Sequence, residues 1–114
     1  MSAAAELVDV LVSLARLVET SLRGCDHLGR WGGEELCVIL PNTPLEGACK
    51  FAETLRSKLE DQLHYVGVRI IPVTASLGVG SFDHMEIDDA ESLLRQAEDA
   101  LARAKQEGRN RVAN

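Results

Sequence analysis

The sequence predicts an α/β (α+β) domain, with helices layered on a mostly antiparallel sheet, and three observations predict it. Three segments repeat apolar residues at three- and four-residue steps, as amphipathic helices do. Between them lie short runs of Val, Ile and Leu bounded by Gly, Pro and Asn, which read as strands. The elements alternate over 114 residues, the size of one domain.

The first helix is expected over about Glu6–Leu22, where Leu7, Leu11, Leu14, Val18 and Leu22 make a stripe. Val8, Val10, Val12 and Leu17 widen it beyond one face, so this helix is expected to be covered on two sides. Gly24 stands at a C-capping position. His27–Trp31 reads as a short strand, and Leu36-Cys37-Val38-Ile39-Leu40 as a second. The unbroken apolar run of the second predicts burial on both faces, at the centre of a sheet.

Between those strands stands Arg30-Trp31-Gly32-Gly33-Glu34-Glu35-Leu36. Paired glycines ahead of a strand signal a hairpin, and they let a ligand come close to backbone. Glu34 and Glu35 then sit at the hairpin tip, within reach of a metal ion or a polyphosphate. The plainer alternative is a solvated turn that happens to be acidic.

Next comes a helix start, with Thr43 as cap, Pro44 at the first helical position and Glu46 completing a capping box. Leu45, Ala48, Ala52, Leu55, Leu59 and Leu63 form its apolar face. Val66–Val79 is rich in strand, and Pro72 marks a bend or a strand start within it. Thr74, Ser76 and Gly78 put small residues on one face, which suits close packing by a helix or space for a ligand. The last helix opens with Asp88 as cap and Glu91 three residues on. Ala90, Leu93, Leu94, Ala97, Ala100, Leu101 and Ala104 face inward, Lys105 lies in the last turn, and Gly108 stops it. Arg109-Asn110-Arg111-Val112 leaves as a short strand.

Composition narrows the chemistry. Hydrophobic residues make up 46% of the chain and aromatics 4%, so the core is aliphatic. A net charge of −6 argues against broad attraction to a nucleic acid polymer or an anionic membrane, so any phosphate must be met by a few local cations. Cys25, Cys37 and Cys49 make no metal or redox pair and read as reduced, mostly buried thiols. His27, His64 and His84 are scattered and read as structural or surface residues. No leader is evident, and no apolar stretch approaches the ~18–20 residues of a membrane span. The expectation is a cytoplasmic domain without membrane contact.

In their order, these motifs resemble the GGDEF family, the bacterial diguanylate cyclase domains. The resemblance covers nearly the whole chain. It rests on Arg23-x-x-Asp26, Arg30–Leu36 and Leu40-Pro41-Asn42-Thr43-Pro44. It continues through Ala52-Glu53-x-Leu55-Arg56, Val73-Thr74-Ala75-Ser76-Leu77-Gly78-Val79 and Ala104-Lys105-x-x-Gly108-Arg109-Asn110.

The resemblance implies an enzyme that joins two GTP molecules into cyclic di-GMP with release of pyrophosphate, using Mg²⁺, as a homodimer. It implies that Gly32 and Gly33 let the nucleotide approach, that Glu34 is a metal ligand near the reacting hydroxyl, and that Glu35 assists. It assigns Lys105 and Arg109 to the terminal phosphates; the alternative is that both cations simply favour a helix C-terminus. It assigns Arg23 and Asp26 to an inhibitory site for cyclic di-GMP; the alternative is a local salt bridge. Some members add a second arginine to that site, where this chain has Thr54, with Arg56 nearby.

The chain also departs from the family pattern. The family's first strand, with its further metal aspartate, and its guanine-recognition segment have no counterpart here. The position of the family's guanine-binding Asp falls on Val8, beside Asp9. Glu98 stands where Asp is usual and Ala102 where Tyr is usual. The expectation is a single, N-terminally truncated GGDEF domain over residues 1–114 that self-associates through exposed apolar surface and is poorly active alone. A second expectation is a module that binds cyclic di-GMP through Arg23 and Asp26 without catalysis; a third is a purely structural remnant.

Overall fold

The computed structural model describes residues 3–82 and 89–114, with side chains from Val10 onward. The elements run α1 (Ala3–Ser21), β1 (His27–Arg30), β2 (Leu36–Ile39), α2 (Leu45–Asp61), β3 (His64–Val66), β4 (Arg69–Ile71), β5 (Leu77–Gly78), α3 (Ala90–Gln106) and β6 (Val112–Ala113). This is the expected α+β mixture. The strands pair antiparallel in β1–β2 and β3–β4 and parallel in β5–β6. No described helix is long and apolar enough to cross a membrane.

The chain forms two compact units. One holds the residues up to Pro41 together with Asp61–Val73; the other holds Asn42–Glu60 together with Thr74–Asn114.

In the first unit, α1 packs on β3. His64 and Val66 point inward from β3 and are buried, and the Ser13 hydroxyl and His64 Nδ1 lie 2.9 Å apart in a hydrogen bond. A buried imidazole needs such a partner to offset its desolvation. Tyr65 and Ile70 face each other across the ladder on the opposite, exposed side. Gly67, with φ +64°, makes the tight turn between β3 and β4.

In the second unit, β5 lies on α3 at van der Waals distance. A Cβ on Gly78 would collide with the Ala97 carbonyl oxygen and the Leu101 amide, and one on Gly80 would stand 2.9 Å from the Leu93 carbonyl oxygen. Ala100 and Ala104 are fully buried. The small residues of this stretch therefore serve helix packing, at least at Gly78 and Gly80. The α3 N-cap is Asp89, which accepts from the Ser92 amide at 2.7 Å; the cap expected at Asp88 falls outside the described residues.

Other expectations need correcting. Within α1, Leu11, Leu14 and Leu17 are half-buried, and only Val18 among its described side chains is fully buried. Gly24 is not a left-handed cap: α1 ends at Ser21, and Gly24 sits in a turn closed by the Asp26 amide on the Arg23 carbonyl at 3.0 Å. β2 is not buried on both faces, since Ile39 is 58% exposed and β1 is its ladder partner. Its apolar run reflects one half-buried strand. Leu63 lies beyond the end of α2 and is exposed, while Ala48, Ala52, Leu55 and Leu59 make the buried stripe as expected. None of the three cysteines is fully buried: Cys25 is exposed, Cys37 and Cys49 are half-buried, and all are free thiols.

Candidate functional site

The glycine–glutamate stretch closes a hairpin. Arg30 pairs with Leu36 at the last rung. The Glu35 carbonyl accepts from the Trp31 amide at 2.9 Å and from the Gly32 amide at 3.3 Å. Arg30 ties down the other side, with Nε donating to the Gly32 carbonyl at 3.1 Å and a terminal nitrogen to the Gly33 carbonyl at 2.9 Å. The turn is thus held by backbone and by one arginine, a role the sequence did not announce.

Neither Gly32 nor Gly33 has positive φ, so left-handed backbone is not why they are glycines. Packing within the chain is not the reason either. A Cβ on Gly33 would meet nothing within 4 Å, and one on Gly32 would only touch the Glu35 Cβ at 3.9 Å. Both lie on backbone that is open to the outside. Trp31 through Glu35 line an open concavity. Glu34 is exposed and Glu35 half-buried on its rim.

Arg23 and Asp26 meet just before this hairpin. Arg23 Nε stands 3.2 Å and 3.1 Å from the two Asp26 carboxylate oxygens, and its terminal nitrogen 2.8 Å from the first of them. The Arg23 amide adds a bond to the same carboxylate at 2.8 Å. The terminal nitrogen also reaches the Pro41 carbonyl at 3.2 Å. These bonds from Arg23 hold the Asp26 carboxyl below its usual range, and the carboxylate in turn raises the Arg23 guanidinium. The exposed Cys25 thiol points at the same carboxylate, 3.7 Å away.

Lys105 and Arg109 lie in the second unit. Lys105 is in the last turn of α3. The chain then takes three consecutive left-handed steps: Gly108 at φ +126°, Arg109 at +64° and Asn110 at +46°. The Arg109 amide returns to the Ala104 carbonyl at 2.9 Å, the closing bond of a Schellman cap, which folds Arg109 back against the turn carrying Lys105. Two of those steps are taken by non-glycine residues, at about 1–2 kcal/mol each by default, so something must hold them. Asn110 does so from its side chain: its Oδ1 accepts from Arg56 at 2.9 Å, and its Nδ2 donates to Glu60.

Arg56 is fully engaged in that network. It also binds Glu53 through Nε at 2.9 Å and Glu60 at 3.2 Å, and its side chain is 18% exposed. These bonds lower the Glu53 carboxyl and raise the Arg56 guanidinium. Thr54 turns its hydroxyl back to the Lys50 carbonyl at 3.0 Å.

The structure thus gathers Gly32, Gly33, Glu34 and Glu35 in one turn, pairs Arg23 with Asp26, and sets Lys105 and Arg109 at one helix end. The clamp that joins Asn110 to Arg56 and Glu60 escaped the sequence reading, which names Asn110 and Arg56 only within their motifs. The available signal was an Asn directly after a glycine helix stop, since Asn tolerates the left-handed region. Among the described residues, no three His, Cys, Asp or Glu side chains cluster to hold a metal.

A family model described as diguanylate cyclase, GGDEF domain, matches residues 8–111. The diguanylate cyclase DgcM of Escherichia coli (strain K12) is 42% identical over 105 residues, covering 91% of this chain and 24% of that protein. The chain therefore spans about a quarter of the length of that relative. Among solved structures, the diguanylate cyclase SiaD of Pseudomonas aeruginosa, in complex with its activator SiaC, is 38% identical with a TM-score of 0.81, covering 91% of this chain and 39% of that one. The active GGEEF domain of a diguanylate cyclase from Vibrio cholerae is 27% identical with a TM-score of 0.74, covering 93% and 66%.

Proposed function

The chain belongs to the GGDEF diguanylate cyclase family, and from that membership we propose that in its parent protein it joins two GTP molecules into cyclic di-GMP. Each condensation forms a bond from a 3′-hydroxyl oxygen to the α-phosphorus of the other GTP. The bond to pyrophosphate breaks, and the hydroxyl proton passes to a base. Two such steps close the ring and release two pyrophosphates. Two subunits, each bringing one GTP, satisfy that symmetry, so the working form is a homodimer in the cytoplasm.

The observation that carries this reading is the open surface over Gly32 and Gly33 beside an exposed carboxylate. Neither glycine is explained by φ or by packing, and a phosphate or ribose can come against that backbone. Glu34 then faces the reacting hydroxyl, with Glu35 in support. Lys105 and Arg109 take the terminal phosphates as charge-assisted donors.

Mg²⁺ is usually held by one or two carboxylates together with substrate phosphates and waters. Glu34, an exposed hard-oxygen donor at the hairpin tip, fits the carboxylate part of that set. When bound, the ion neutralises phosphate charge. By the family pattern a second metal carboxylate has no counterpart here, and the base-recognising Asp would fall on Val8. The 114 residues alone are therefore proposed to be poorly active.

Arg23 and Asp26 support a second reading, a cyclic di-GMP site. Arg23 is half exposed and its orientation is fixed by Asp26, and a fixed guanidinium suits a phosphate or a guanine edge. The test of the main reading is incubation with GTP and Mg²⁺, followed by chromatography. The parent protein is expected to yield cyclic di-GMP and the isolated chain little. No product from the parent sinks the cyclase reading, and efficient turnover by the chain sinks the claim of poor activity.

A further inference from the structure

Arg109 carries a cation on a backbone that does not hold itself. It follows Gly108 in the left-handed region, and Asn110 follows it there. Its guanidinium is exposed and makes no hydrogen bond or ion pair among the described residues. Where that side chain starts, and so what it can reach, is therefore set by the loop.

Four anchors set that loop, one of them local, with Arg111 Nε donating to the Arg109 carbonyl at 3.1 Å. At the front is the Schellman bond from the Arg109 amide to Ala104. At the back, the Arg111 carbonyl accepts from the Leu77 amide at 3.0 Å, and Val112 enters the parallel ladder opposite Leu77. Between them, the Asn110 side chain is clamped to Arg56 and Glu60, 54 and 50 positions earlier in the chain. The front and back anchors are backbone bonds that many sequences can make. The middle one needs these side chains: an amide that offers an acceptor to a guanidinium and a donor to a carboxylate at once. Glu53 in turn fixes the guanidinium through its other nitrogens, and Glu60 accepts from the same terminal nitrogen that reaches Asn110.

We infer that Arg56 and Glu60, acting through Asn110, are positioning residues that aim Arg109 at the terminal phosphates of the nucleotide. The inference rests on the reading of Arg109 as a phosphate-gripping cation. It gives α2 a task in substrate binding that its solvated, charged face did not suggest.

The test uses the parent protein with Mg²⁺ and two probes that lack the attacking hydroxyl, 3′-deoxyguanosine triphosphate and 3′-deoxyguanosine monophosphate. Asn110→Gly removes the clamp while glycine keeps the left-handed backbone without strain. Arg56→Met removes it from the other side and retains an unbranched stem. Thermal unfolding confirms that each variant is folded. Both variants are expected to weaken triphosphate binding about tenfold, the order of one misplaced charge-assisted hydrogen bond. Monophosphate binding is expected to stay unchanged. Added to Arg109→Ala, neither variant is expected to weaken triphosphate binding further, because the cation they aim is already gone.

Equal losses for both nucleotides would make the network merely structural and overturn the inference. Losses that add to Arg109→Ala overturn it as well, while leaving the reading of Arg109 intact. If Arg109→Ala alone leaves triphosphate binding unchanged, that reading fails and the inference falls with it.

Discussion

Arg23 and Asp26, three residues apart, grip each other through both carboxylate oxygens, and the geometry is unequal: the Asp26 side chain is 1% exposed and that of Arg23 53%. The buried partner holds the exposed one. Arg23 keeps the Asp26 carboxyl below its usual value of 3.8. A depressed carboxyl contributes stability that is fully present above the unfolded value and is lost as pH falls through the lower, folded value. Thermal unfolding of wild type and Asp26→Asn between about pH 6 and pH 2 is expected to show a difference that is largest at the upper end and narrows toward the acid end. A difference independent of pH would show that the pair adds nothing.

The same arginine carries the second functional reading. Calorimetry with cyclic di-GMP is expected to show binding to the wild-type chain and a loss of about tenfold or more for Arg23→Ala, the order of one or two charge-assisted hydrogen bonds. Equal binding by both proteins removes Arg23 from any such site.

Two glycines separate packing from access. Gly78→Ala forces a methyl into the α3 backbone at Ala97 and Leu101, and urea unfolding is expected to show a loss of about 1–3 kcal/mol or more. Gly33→Ala meets nothing within 4 Å, so stability is expected to change by less than about 1 kcal/mol. In the parent protein the same Gly33 change is expected to weaken GTP binding. A stable Gly78→Ala, or a Gly33→Ala parent with unaltered GTP affinity, contradicts the division.

Asp89→Ala removes the acceptor of the Ser92 amide at the start of α3. The expected cost is about 0.5–2 kcal/mol in chemical denaturation. An unchanged midpoint would mean that another group takes over the cap.

Elements with strong local signals were legible before the structure. The alanine and leucine stripe of α2 is buried from Ala48 to Leu59 where the three- and four-residue steps put it, and Gly108 stops α3 as expected, in a left-handed turn. The Gly32-Gly33 hairpin formed as well, though by another route than positive φ. What failed depended on neighbours in space. An apolar run does not say how many strands flank it, so β2 was read as central while Ile39 stands exposed. Two aspartates stand side by side in the sequence, so periodicity alone does not choose between them, and the cap of α3 is Asp89. The Arg56–Asn110 clamp joins residues 54 apart, and no periodicity within a helix reports such a pairing. Of the candidate site, the Gly32–Glu35 turn and the Arg23–Asp26 pairing follow from their motifs; the bonds by which Arg30 and Asn110 steady their turns do not.

Glu34 is the side chain on which the proposed chemistry turns. In the parent protein with GTP and Mg²⁺, Glu34→Gln is expected to lower cyclic di-GMP formation about 10²–10⁴-fold, the range for loss of a group acting at the reacting atoms, with the fold intact by thermal unfolding. A Glu34→Gln parent that makes cyclic di-GMP at the wild-type rate would contradict the assignment of the glycine–glutamate hairpin as the catalytic centre.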